Sequence, residues 1–520
     1  MFFWNILFII FLFCLALYSY ISRKQELFEK SGIPCIKPWP IIGNMGPIIM
    51  QKMSFGQLLE KIYFMNTKAK YVGFFEFSTP VIMIRDPEII KSIGTKNYEI
   101  FYNRRGFAEE DHNLILGQDI SSLKDEKWRH MRNILSPSFT SGKFKQFYNL
   151  TAKKTQDALE YIHNQNEMET EMKILFQKLA IDIMFAYAFG ISTNFIRDEG
   201  VEQLAEDLNG INPEKVEKLK LFLIQCPFIF KILGLKYLSD KARNYFQNIV
   251  QFRMNERDGE KNFKSNMIDM MIDTPDNVEK LSINEMTAQV FIMFAGAFLT
   301  TSDTLSYLCY NIAINTEVQI KLQQEIDSLS YKYKTLNDET LLSNQENKIS
   351  HNVTFEEIMN LKYLDAVIKE SLRLHTTIVA LERVCSQSFQ LPPALPGLKP
   401  FTLKPGTILS IPIESIHRDS KYFKEPEKFN PNRFFNVNEK NILNSYTYLP
   451  FGVGPRHCIA NRFSIQALKI IIFYILANCN LQVCSKTPIP LKMNRRKLTK
   501  APDKSIILQI EKRINCNANE

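Results

Sequence analysis

The chain is expected to fold as a mainly α-helical protein with small β-sheets, behind an N-terminal transmembrane helix. Three observations lead there. Residues 2–21 form an almost unbroken apolar run, and about 20 such residues cross a bilayer as a helix. From about residue 120 to 375 the pattern is mostly helical. Short β-like runs flank that stretch, at Tyr71–Phe77, at Val81–Ile84 and around Lys404-Pro405-Gly406.

In chain order, residues 1–22 are the expected anchor. Arg23 and Lys24 follow it at once and no Lys or Arg precedes it, so the positive-inside bias leaves the rest in the cytosol. The rival, a cleaved signal peptide, lacks its basic start and a small-residue cleavage site. Residues 23–45 are basic and proline-rich, with Gly32-Ile33-Pro34, Lys37-Pro38-Trp39-Pro40 and Gly43-Asn44. Proline fixes φ and disfavours helix before it, so this stretch reads as a hinge. The main domain spans 46–513. Within it, 284–313 is too apolar for a surface helix, and 331–353 is polar and aperiodic, hence a solvated loop. Leu361, Leu364, Ile368 and Leu372 repeat at helical spacing. Residues 400–413 read as a hairpin. The apolar stretch 219–237 has basic flanks; it either dips into a membrane or is a core helix. Residues 514–520 are a frayed tail.

Composition narrows the function. Hydrophobic residues make up 45% of 520, enough for a large core. Net charge is 64 − 55 = +9, which suits an acidic partner or an anionic membrane and is too weak to indicate nucleic acid. The nine cysteines are odd in number, irregular in spacing and without CxxC. That pattern fits a reducing compartment with a thiol available to a metal.

The most informative segment is Phe451-Gly452-Val453-Gly454-Pro455-Arg456-His457-Cys458-Ile459-Ala460, followed by an apolar helical pattern. Gly452 and Gly454 allow a sharp turn with positive φ. Cys458 then sits at a helix start, where its sulfur gains from the macrodipole and free N–H groups. Phe451 can shield the sulfur, and Arg456 can pair with a carboxylate.

This segment resembles the cysteine signature of the cytochrome P450 superfamily, F-x-x-G-x-R-x-C-x-G, with Ala460 in place of the last glycine. The resemblance runs from the anchor to about residue 513 and is closest to the microsomal animal branch that handles drugs and toxins, insect detoxification enzymes included. It implies the cytochrome P450 fold over a haem-binding catalytic domain at 46–513, with haem b as cofactor and Cys458 as the axial ligand of its iron. Further matches carry further roles. Trp128 and Arg132 in Lys127-Trp128-Arg129-His130-Met131-Arg132, together with Arg104, Arg383 and Arg456, match propionate partners. Glu370 and Arg373 in Lys369-Glu370-Ser371-Leu372-Arg373, with Arg433 in Phe429-Asn430-Pro431-Asn432-Arg433-Phe434, match a structural lock. Asn432 stands where an acid is usual, and Thr376-Thr377 replace common prolines. In Phe294-Ala295-Gly296-Ala297-Phe298-Leu299-Thr300-Thr301, Thr300 takes the catalytic threonine position and Leu299 that of the proton-relaying acid. Asp303, about one turn on, can substitute through water or simply be solvated.

The resemblance implies a monooxygenase acting on a lipophilic small molecule. Electrons would come from an NADPH-dependent flavoprotein reductase, with cytochrome b5 as a further partner. The catalytic domain would face the cytosol from the endoplasmic reticulum membrane. Lys124, Lys127, Arg129, Lys143 and Lys145 are either a reductase-docking patch or ordinary solvated charges. Phe107, Phe298 and Val379 are candidate pocket residues. Two other readings stay open: a haem-thiolate isomerase or peroxide-rearranging enzyme, suggested by Leu299, and a non-catalytic haem-binding protein.

Overall fold

The computed structural model describes residues 26–106, 115–164, 169–197, 240–257, 266–273, 280–337, 353–435, 439–495 and 500–513, with 3–5, 8 and 19. Most of the anchor, together with Phe107, the 219–237 stretch and the 514–520 tail, lies outside these residues.

The strands are β1 (Tyr71–Glu76), β2 (Thr79–Ile84), β3 (Glu169–Glu171), β4 (Leu381–Val384), β5 (Phe389–Leu391), β6 (Phe401–Leu403), β7 (Ile408–Ile411), β8 (Cys479–Val483) and β9 (Ile507–Lys512). They form three small sheets, in the orders β1-β2-β7-β4, β3-β9-β8 and β5-β6. The first begins with an antiparallel hairpin, Tyr71 opposite Ile84. β2 then runs parallel to β7, and β7 antiparallel to β4. All of β1 is buried, which its apolar run Tyr71-Val72-Gly73-Phe74-Phe75 permits on both faces.

The main helices are α1 (Asp125–Leu135), α2 (Ser141–Asn164), α3 (Met172–Met184), α4 (Asp240–Arg257), α5 (Ile283–Ile314), α6 (Thr316–Asn337), α7 (Lys362–Leu374) and α8 (Asn461–Asn478). α5 matches the expected apolar helix within one residue at each end. Its start is set by a capping box: Glu285 N donates to Ser282 Oγ at 3.2 Å and Ser282 N to Glu285 Oε2 at 2.8 Å. Among the described residues it is the one helix long and apolar enough to cross a membrane. It instead packs on α3, α4, α7 and α8, with Val290, Leu305, Leu308 and Ile312 fully buried. On α7, Leu364, Ile368 and Leu372 are buried, as is Leu361 just before it.

Three sequence expectations need correction. The polar stretch 331–353 is not all loop, because α6 continues to Asn337; Leu322 and Ile326 bury fully and carry the helix into polar sequence. Residues 400–413 turn as expected, with Gly406 at φ 83° and Thr407 N donating to Lys404 O at 3.0 Å. The flanking strands nevertheless do not pair with each other. β6 pairs with β5 and β7 with β4 and β2, so the turn divides two sheets. Finally, most of the 23–45 segment is docked. Phe28 is fully buried and its ring lies where a Cβ on Gly73 would come within 2.3 Å. Asn44 Oδ1 accepts from Phe75 N at 2.7 Å. From Leu27 onward the segment is therefore part of the folded domain.

Candidate functional site

The cysteine loop is held by close backbone approach. Gly452 and Gly454 adopt φ of 82° and 73°, a region where side chains are strained. A Cβ on Gly454 would stand 2.1 Å from Gly94 O, so the loop is pressed against the helix Pro87–Gly94. Cys458 N donates to Phe451 O at 2.8 Å and His457 N to Gly454 O at 2.9 Å. Ala460, the N-cap of α8, has φ −95°, so its methyl group brings no backbone strain where the signature has glycine. Among the described free cysteines, Cys458 is the exposed one. Its sulfur faces interior space: desolvation raises the thiol pKa, while the Ala460 N–H, Arg132 and Arg104 pull it down.

Arg104, Arg132, Arg383 and Arg456 converge on this loop. Arg104 Nη2 donates to Arg456 O at 2.7 Å, Arg132 Nη1 to His457 O at 3.0 Å, and Arg383 Nη2 to Val453 O at 3.0 Å. Three of the four arginines thus clamp the cysteine loop by its carbonyls. Arg456 is a brace first. Its guanidinium donates to Tyr102 O at 2.7 Å and Ile120 O at 3.0 Å, and also to Leu123 O. It lies 4.2 Å from the Trp128 ring centroid, leaving its remaining N–H groups for an anion. Among the described residues none of the four has an ion pair with a carboxylate, and Arg104 Nε is buried without a partner. Burial and mutual repulsion pull the Arg383 pKa down to about 9 and that of Arg456 to about 8.

The lock is assembled in full. Arg373 forks onto Glu370, Nε to Oε2 at 2.7 Å and Nη2 to Oε1 at 2.9 Å. Arg433 Nε reaches Oε1 at 3.1 Å. Sequence reasoning missed two backbone partners, Asn430 N on Glu370 Oε1 at 2.8 Å and His417 O on Arg373 Nη1 at 2.7 Å. Main-chain groups carry no signal in residue identity. Asn432 is exposed beside this lock, and Thr376 Oγ1 donates to Ile378 O at 3.0 Å in the turn where prolines are usual.

In the middle of α5 a window opens. Gly296, Leu299 and Thr300 are exposed, and a Cβ on Gly296 would meet nothing within 4 Å. Thr300 Oγ1 donates to Gly296 O at 2.6 Å, one turn back. Asp303 is ion-paired with Lys173 Nζ at 2.8 Å, so it is neither freely solvated nor a cap. Phe298 does not line an open pocket: it is 6% exposed, its ring stacked on Phe294 at 5.6 Å. Val379 is half-buried, where a Cβ on Gly56 would meet it at 3.3 Å. Of the basic cluster, Arg129 is paired with Glu126 and Lys145 with Glu356.

The residues present fit a haem. A cluster of four cations without ion-pair partners among the described residues suits two propionates, and an accessible cysteine at a helix start suits iron. Fold and site together define a haem-thiolate protein. Comparison with known proteins narrows the class: the cytochrome P450 family model matches residues 33–509, and the chain belongs to that family. Cytochrome P450 9e2 of Blattella germanica is 33% identical, with 95% of each chain covered. Cytochrome P450 9b2 of Drosophila melanogaster is 31% identical over 91% of this chain and 94% of its own. Cytochrome P450 3A9 of Rattus norvegicus is 32% identical over 96% and 94%. The protein is therefore a monooxygenase that carries haem b, and its relatives are animal enzymes, as the resemblance in the sequence implied.

Proposed function

We propose that this protein is a membrane-anchored monooxygenase of the detoxification type, with Cys458 as the axial thiolate. It inserts oxygen into lipophilic small molecules with electrons from an NADPH-dependent flavoprotein reductase, and cytochrome b5 as an auxiliary donor. Residues 1–22 anchor it in the endoplasmic reticulum membrane, with the catalytic domain in the cytosol. The observation that carries the site assignment is the exposed Cys458 beside four arginines, none of which forms an ion pair with a carboxylate among the described residues.

Haem b, when bound, supplies the oxygen chemistry, and a thiolate ligand favours O–O cleavage. The chain's residues do the rest. Arg104, Arg132 and Arg383 fix the cysteine loop and would hold the haem propionates. Trp128 backs the Arg456 guanidinium, and Phe451 keeps water from the sulfur. Glu370, Arg373 and Arg433 tie the segment 417–433 to α7. Thr300 Oγ1, at the open face of α5, holds a proton for delivery.

The test of the axial ligand is spectroscopic. The ferrous-CO adduct should show the red-shifted Soret band of a thiolate haem, and Cys458→His should lose it. Retention of that band by Cys458→His would overturn the assignment. NADPH-dependent product formation with added reductase tests the electron source in the same preparation.

A further inference from the structure

O–O cleavage to water consumes protons, and α5 has Leu299 where the family's acid stands, so protons need another way in. α5 is mostly apolar, yet Thr300, Asp303, Thr304, Tyr307 and Asn311 fall at i, i+3, i+4, i+7 and i+11. That spacing makes one polar stripe, about 16 Å long at the helical rise. Most of the stripe is satisfied. Asp303 pairs with Lys173, Thr304 Oγ1 donates to Thr300 O at 2.7 Å, and Asn311 Nδ2 to Ser371 Oγ on α7 at 3.3 Å.

Tyr307 is the exception. It is 1% exposed and its hydroxyl has no partner. Its ring stacks on His375, just after α7, at 4.8 Å and 9°. His375 is 7% exposed, and its Nδ1 also has no partner. Nearby, Lys500 Nζ meets Glu414 Oε1 at 2.6 Å, and Arg418 Nε lies 3.8 Å from the same oxygen. Arg418 in turn pairs with exposed Glu427, which connects the group to solvent. Burial first, then the charges of Asp303 and Glu414, raise the Tyr307 pKa, so the hydroxyl stays protonated and lies in the field of both carboxylates. Burial, Lys500, Arg418 and Arg373 hold His375 neutral. Buried polar atoms that protein leaves without partners are where ordered water binds.

We propose that Tyr307 and His375 hold a water-bridged proton passage from the Glu414–Lys500 pair to Asp303 and Thr300 on α5. Tyr307 Oη accepts a proton from water as it releases its own, so it ends each transfer unchanged. His375 is a positioning residue: it orients that water through Nδ1 and stays neutral. The Glu414–Lys500 pair is resupplied from solvent, and the net movement is one proton from solvent to the open face of α5. The passage rests on Thr300 as the delivery point, and the experiment separates the two ideas.

Tyr307→Phe removes only the hydroxyl and keeps the stacked ring. In the haem-loaded enzyme with reductase and a tightly bound substrate, product per NADPH should fall at least about threefold, with hydrogen peroxide rising to match. The ferrous-CO band and the melting temperature should not move, and His375→Asn should repeat the loss. Independently of turnover, a high-resolution structure of the haem-loaded protein should show water about 2.6–3.2 Å from Tyr307 Oη. A dry Tyr307 hydroxyl overturns the proposal. So does an unchanged product ratio in Tyr307→Phe when Thr300→Ala lowers it, which leaves Thr300 in place. An unchanged ratio in both variants removes Thr300 and the passage together.

Discussion

Glu370 and Cys458 are both centres around which this protein gathers arginines, and the two gatherings differ in how they are neutralised. At Glu370, Arg373 forks onto both carboxylate oxygens and Arg433 joins one of them, with Glu370 and Arg373 fully buried. Every charge there has a partner supplied by the chain. At Cys458 four guanidinium groups lean on backbone carbonyls, and among the described residues none of them forms an ion pair; Asp119 and Glu382 act on them only from a distance. The first cluster is complete without a ligand and reads as architecture. The second is short of negative charge and reads as a receptor. Counting arginines does not tell the two apart; counting the ion pairs they form does.

That contrast can be broken in three places, in order of decreasing effect. Glu370→Gln should be the most damaging. It strands two buried cations, and removing one partner of a buried pair costs about 3–5 kcal/mol. Chemical denaturation should show that loss in protein with and without haem, and a smaller loss confined to the haem-loaded form would mean the lock depends on the cofactor. Arg383→Leu should behave in the opposite way. Stripped of haem, the variant should match or exceed wild-type stability, because a buried charge without an ion-pair partner among the described residues is removed. Loaded with haem, it should lose the cofactor to a scavenging protein about 10–100-fold faster, as a charge-assisted hydrogen bond worth roughly 1.5–3 kcal/mol disappears. Equal haem loss in variant and wild type would take Arg383 out of the receptor. Asn432→Asp, which restores the usual acid beside the lock, should shift stability by under about 0.5 kcal/mol. Asn432 is exposed, and its backbone N–H already bonds to Asn430 Oδ1 at 3.2 Å. A clear gain on denaturation would show that the lock is less complete than its hydrogen bonds indicate.

Much of this was legible in the sequence where the signal is local. The bounds of α5 follow from its apolar run and the Ser282–Glu285 box, and the turn before Cys458 follows from Gly452 and Gly454. What failed was non-local. The strands around Gly406 look like a hairpin, yet β5 occupies one and β4 with β2 the other. Phe28 sits in a proline-rich stretch that reads as a hinge, but a glycine at position 73 gives its ring a place in the core. The role of Arg456 was only half legible, since three of its partners are carbonyls that any residue at positions 102, 120 and 123 would offer.

The docking of Phe28 has a further consequence, one of leash length. On the proposed anchor, the bilayer segment ends near residue 22 and the first residue locked into the core is Phe28. Only about five residues lie between them, a reach of roughly 16–18 Å when fully extended. On so short a leash the catalytic domain cannot drift from the lipid surface. Held by that anchor, it would stay within about its own radius of the headgroups, and lipophilic molecules leaving the bilayer would meet the enzyme before they met bulk water.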